Sequence, residues 1–122
     1  MNSKFHIPFK TAKLLKEKGF PQDGEDYIYF SDGERKRRNW LTSYQLDNLN
    51  AVICPTYHEV LYWLDINGYI ITIEYDYNHN DGIYSFRSVV YNLDNKLYTS
   101  EWATSREYAL NDGITKILED YL

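Results

Sequence analysis

The stretch "YIITIEYDYNHNDGIYSFRSVVY", residues 69 to 91, decides the fold. From Tyr69 onward apolar and polar residues alternate. Tyr69, Ile71, Ile73, Tyr75 and Tyr77 share one side of an extended chain, and Thr72, Glu74 and Asp76 share the other. A period of two is the signature of a strand with one face on a core and one in water. "NHNDG" at 78–82 turns the chain, and residues 83–91 return with Tyr84, Phe86 and Val90 on the core side and Arg87 on the open side. "NLDN" at 92–95 turns it again, and "KLYTSEW" at 96–102 makes a third strand with Tyr98 and Trp102 inward.

Helices flank these strands. Ahead of them lies "CPTYHEVLYWL", residues 54 to 64, where Thr56 and Glu59 have the spacing of a capping box: hydroxyl to the N–H of residue 59, carboxylate back to the N–H of residue 56. Tyr57, Val60, Leu61 and Leu64 follow at i, i+3, i+4, i+7, a single apolar stripe, and Asn67-Gly68 stops the helix. After the strands, Thr104 and Glu107 form a second predicted box. Leu110, Ile114, Ile117, Leu118 and Tyr121 make the stripe of the last helix, which Gly113 weakens. Nearer the N-terminus, "PFKTAKLLKEKGF" reads as a short helix with Ala12, Leu14 and Leu15 inward. Gly19 ends it, and Phe20 folds back on Leu15. "YIYF" at 27–30 and "RKRRNWLTS" at 35–43 read as two strands of a hairpin turned at Asp32-Gly33. Residues 44–55 have no clear period and read as loop or short helix. The expected fold is therefore α+β: one domain over residues 1–122, an antiparallel three-stranded sheet with helices packed on one face, preceded by a helix and a hairpin.

Composition bounds the function. A chain of 122 residues that is 43% hydrophobic and 25% charged can bury a core without staples. Its 13 tyrosines suit half-buried sheet positions and contact surfaces. A single cysteine allows no internal disulfide and points to a reducing compartment; with no long apolar run or leader, a cytoplasmic location is expected. Charge is split along the chain. Residues 1–55 carry nine Lys/Arg against seven Asp/Glu, and residues 56–122 carry four against eleven, a net of −7 in the second half. Such an acidic half argues against broad nucleic-acid binding. The order helix, three strands, helix is also that of a double-stranded-RNA-binding domain, but the last helix begins "TSREYALNDG" and lacks the phosphate-gripping lysines.

"IPFKTAKLLKEKGF", "CPTYHEVLYWL" and "EYALNDGITKILEDYL" resemble a family of small uncharacterised proteins from phages and prophages of Bacteroides-type gut bacteria. Ile7, Phe9, Thr11 to Phe20, Pro55, Thr56, Trp63, Leu64, Ala109, Gly113 and Ile114 match its pattern, while Cys54 stands where the family carries alanine. The resemblance spans nearly all the chain except residues 21–50. It implies fold and origin and brings no activity with it.

Candidate chemistry is sparse. Cys54 and His58 sit at a helix start, where a thiol's pKa falls, but no orienting third group accompanies them. Asp76, His79 and Asp81 are three possible ligands around one turn, without a second histidine. Neither an enzyme nor a metal or other cofactor is expected. The expected function is binding, with the open sheet face (Thr72, Glu74, Asp76, Arg87, Thr99 and Glu101) meeting a protein partner, one version being an inhibitor of a host nucleic-acid enzyme. The alternative is a nucleic-acid-binding module using Arg35, Lys36, Arg37, Arg38 and Trp40, four cations and a stacking ring. The same run also reads as a charged, aggregation-resistant edge strand.

Overall fold

The computed structural model describes residues 5–22, 27–39 and 41–122. The chain divides into two compact units, Met1–Val60 and Leu61–Leu122, with the division falling inside a helix. Both mix helices with an antiparallel three-stranded sheet, giving an α+β protein.

In the first unit, helix α1 (Phe9–Glu17) buries Thr11, Ala12 and Leu15. It closes as its sequence predicts: Gly19 takes φ +94° and the Phe20 N–H donates to the Leu15 carbonyl at 2.9 Å. Lys16 of this helix pairs with Asp47 at 2.6 Å. The hairpin is β1 (Tyr27–Tyr29) with β2 (Arg35–Arg37), turned at Gly33, whose φ is +86°. Residues 44–55, undecided in the sequence, supply the rest of this unit's structure. Helix α2 (Ser43–Asn48) opens on a capping box of Thr42 and Gln45. The two-residue strand β3 (Val52–Ile53) then pairs with β1, so the hairpin becomes a sheet ordered β2-β1-β3.

Helix α3 (Tyr57–Ile66) starts on the expected box. The Glu59 N–H donates to Thr56 Oγ1 at 3.2 Å, and Glu59 Oε1 accepts from the Thr56 N–H at 3.2 Å and from its hydroxyl at 2.7 Å. Thr56→Ala is expected to lower the unfolding free energy by about 1 kcal/mol in a denaturant titration. An unmoved midpoint would show that the box contributes nothing. Cys54 lies fully buried, its N–H donating to the Tyr27 carbonyl at 2.9 Å. Beside it Tyr29 donates to the Ile7 carbonyl at 2.6 Å, and burial together with the Cys54 contact pushes the phenol's pKa up. The thiol is a core side chain, deeper than the loop position its sequence suggests.

In the second unit, β4 (Tyr69–Asn78) and β5 (Ile83–Asn92) pair over ten unbroken positions, from Tyr69–Asn92 to Asn78–Ile83, and β6 (Asn95–Thr99) adds to β5. Helix α4 (Arg106–Asp120) lies across all three strands and buries Ala109, Gly113, Ile114, Ile117 and Leu118. Its cap falls one residue later than predicted: Ser105, not Thr104, accepts from a backbone N–H, that of Tyr108 at 3.1 Å. Tyr98 points inward as expected and donates to Asp112 at 2.8 Å. Burial and that bond raise its pKa to about 12.

Two inward assignments are corrected. Trp102 is 47% exposed, because the third strand ends at Thr99. The Ser100 N–H donates to the Ser88 carbonyl, while Ala103 already pairs with Phe86. Residues 101 and 102 therefore stand together against Arg87, and the alternation breaks there. Tyr75, Tyr77 and Tyr84 are also uncovered, and the reason is length. A helix of 15 residues spans about 22 Å. A strand of ten residues spans about 33 Å. Helix α4 reaches from Phe86, over whose ring Arg106 sits at 5.7 Å, to Tyr69, which donates to the Tyr121 carbonyl at 3.2 Å. Beyond Phe86 the hairpin continues without it.

Candidate functional site

Alternation along β4 and β5 sorts the expected contact residues. Thr72, Glu74 and Asp76 stand opposite Val89, Arg87 and Ser85, on the face turned away from Gly113 and Ile71 of the helix-covered side. Thr99 pairs with Val89 and joins them, and Glu101 stands opposite Arg87. Five of the six residues named from the sequence thus share one face, and Glu101 stands at its edge in the irregularity after Ser100. Thr72, Glu74, Asp76 and Glu101 are exposed and Thr99 is half-buried, while Val89 between Thr72 and Thr99 is fully buried. The acidity of this face is tempered locally. Arg87 Nε donates to Glu74 Oε1 at 2.7 Å, and its guanidinium lies 4.5 Å from the Trp102 ring. Sequence reasoning missed Trp102, whose position depends on the irregularity after Ser100.

On the opposite face of the same hairpin, Tyr75 is 68% exposed, Tyr84 50% and Tyr77 37%. Their rings form a ladder. Tyr77 and Tyr84 are 4.6 Å apart, Tyr75 and Tyr84 6.0 Å, and Tyr84 stacks on Phe86 at 6.3 Å. His79 stands edge-on to Tyr77 at 4.8 Å. A comparison of the predicted helix length with the strand length would have exposed this ladder from the sequence.

The turn residues do not converge as a metal site. Asp76 projects from the acidic face and His79 packs on Tyr77. Asp81 accepts from the Ile83 N–H at 3.1 Å within the turn. No group of three ligating side chains occurs among the described residues.

The chain resembles no protein in the comparisons made: no family model, no curated protein and no solved structure matches it. What it does must be argued from these surfaces.

The basic run is split by its own strand. Arg35 and Arg37 lie 5.4 and 5.8 Å from the Tyr27 ring, with Arg35 Nη1 3.3 Å from His6 Nδ1. The His6 pKa is lowered by burial first and by this guanidinium second. Lys36 faces the other way, 5.0 Å from the Phe30 ring and 3.7 Å from Glu34. Strand β2 is an edge of its sheet, where such charge discourages pairing with other chains. Arg38 is a correction. It is buried, its Nε donating to the Leu41 carbonyl at 2.8 Å and its Nη1 to the Gln22 carbonyl at 3.0 Å. It holds backbone in place and presents no cation to a ligand. Trp40 lies outside the described residues. An open pocket of about 410 Å³ beside the run is lined by Phe30, Lys36, Arg37, Asn39, Leu41 and Gln45.

Proposed function

We propose that this chain is an accessory protein of the phage type, acting by binding rather than catalysis, and that its partner is another protein. One observation carries the proposal: Glu74 and Asp76 are exposed on one face of the β4–β6 sheet and Glu101 is exposed at its edge, in the half of the chain with net charge −7. A face of this kind attracts basic partners, speeds their encounter and loses that advantage as salt rises. The cationic groove of a nucleic-acid enzyme is such a surface, so inhibition of one by phosphate mimicry is the narrower form of the proposal. Nucleic-acid binding is the rival reading, favoured by the pocket beside Lys36 and Arg37.

The test is capture from host lysate with three forms of the full chain. Glu74→Lys, Asp76→Lys and Glu101→Lys together are expected to abolish salt-sensitive capture while circular dichroism stays unchanged. Arg35→Ala, Lys36→Ala and Arg37→Ala together are expected to leave capture within about twofold of the parent, as exposed charges contribute little. Arg38 is left intact because its removal perturbs the fold. Loss of the partner in the alanine set and retention in the lysine set would reverse the assignment and favour nucleic acid.

A further inference from the structure

The ring ladder on the other side of the hairpin has a use of its own, beyond the acidic face. We infer that Tyr75, Tyr77 and Tyr84 form a docking strip for an extended, arginine-bearing segment of a protein partner. The inference shares with the proposed function only the premise that the partner is a basic protein.

Three observations point to this occupant. First, the rings are exposed and gathered on Tyr84, 4.6 Å from Tyr77 and 6.0 Å from Tyr75, which is the arrangement of a contact surface rather than of scattered surface tyrosines. Second, the ribbon that carries the rings is poor in cations. From Tyr69 to Phe86 there is no lysine or arginine, while Glu74 and Asp76 project from its opposite face and Asp81 lies in its turn. Aromatic faces carry negative charge density, so an anionic ribbon of rings attracts cations and repels a phosphate backbone. Third, the protein already fills the covered end of the ladder in this way: the Arg106 guanidinium lies 5.7 Å from the Phe86 ring, which stacks on Tyr84. Among the described residues, no cation sits over the rings beyond Phe86, which are of the same kind.

Spacing narrows the partner's shape. Tyr84 and Phe86 rings are 6.3 Å apart along one strand. An extended peptide places alternate side chains about 6.8 Å apart on one side. Arginines at every second position therefore match successive rungs, and a helical segment, with neighbours on one face about 5–6 Å apart but turning away along its length, matches fewer.

The experiment uses the full chain and a fluorescent octapeptide alternating arginine and serine, followed by anisotropy. Tyr75→Leu with Tyr84→Leu is expected to weaken binding about tenfold, since leucine keeps apolar area but has no π face. Tyr75→Phe with Tyr84→Phe is expected to stay within about twofold, because phenylalanine keeps the ring. Both pairs replace exposed side chains, so folding is preserved and is checked by thermal melting. Equal binding by the leucine pair overturns the inference while leaving the acidic-face proposal standing. Peptide binding is compared among forms that all keep Glu74 and Asp76, and capture is compared among forms that all keep the tyrosines, so the two ideas fail separately. Tighter binding of a single-stranded thymidine octamer than of the peptide, abolished in the leucine pair, would instead make the rings base-stacking platforms. A monomer–dimer equilibrium lost in the leucine pair would assign them to a second copy of the chain. Either result overturns the inference.

Discussion

Replacing Arg38 by alanine is expected to destabilise the protein by about 3 kcal/mol, read as a fall in denaturation midpoint. The guanidinium makes two charge-assisted bonds to carbonyls, of Leu41 at 2.8 Å and of Gln22 at 3.0 Å, and only 9% of the residue remains exposed. Hydrogen bonds from a charged donor are the stronger kind, at about 1.5–3 kcal/mol each, and truncation leaves the carbonyls without this partner. Arg38→Lys is expected to fall between, because an ammonium does not reproduce the planar fork that reaches two acceptors. By contrast, Arg35→Ala, Lys36→Ala and Arg37→Ala should each cost at most about 1 kcal/mol, the scale of an exposed cation resting on a ring. If all four positions proved equally tolerant of alanine, Arg38 would belong with the surface cations after all.

Gly113→Ala is expected to destabilise by about 2 kcal/mol, against the trend of helix propensity, which favours alanine by about 1 kcal/mol. A Cβ at residue 113 would lie 2.8 Å from Ser88 Oγ and 3.1 Å from Ser88 Cβ, with Ile71 Cδ1 at 3.5 Å. Ser88 is fully buried in the central strand, so neither it nor the helix has room to withdraw. Its hydroxyl, at the tightest point of the contact, has no hydrogen-bond partner among the described residues. Ser88→Ala should therefore be nearly neutral and should rescue part of the Gly113→Ala loss. A double-mutant cycle should give a coupling of about 1 kcal/mol. Simple additivity would show that the helix moves away from the strand at little cost.

The fate of Gly113 shows what local sequence conveys and what it leaves out. Read alone, it is a weak spot in a helix; in the fold, it is where α4 comes so near β5 that a Cβ would collide with Ser88. The caps and stops that involve neighbours in sequence were legible: Thr56 with Glu59, Gly19 with Phe20, the turn at Gly33. So was the alternation of β4 and β5, because a period of two needs no knowledge of the partner strand. Strand β3 was not legible, since two residues carry no period and its place depends on pairing with Ile28 and Tyr29. Arg38 looked like a member of a run because composition cannot tell which of four adjacent cations turns inward. Glu74 and Asp76 were assigned to one face correctly, whereas the tyrosines were assigned a cover that α4 is too short to provide. Alternation gives the side of a sheet, and only the dimensions of the covering element say whether that side is buried.

The cation-poor ribbon has a chemical corollary. Lys36 and Lys96 are consecutive lysines, so the 59 residues between them contain no side-chain amine. Enzymes that acetylate or ubiquitinate lysine have no acceptor anywhere along the hairpin. Its carboxylates, by contrast, include exposed Glu74 and Asp76. A carbodiimide would thus couple this segment only to amines brought to it from outside the ribbon, and any lysine recovered on such a cross-link is a neighbour identified without a label.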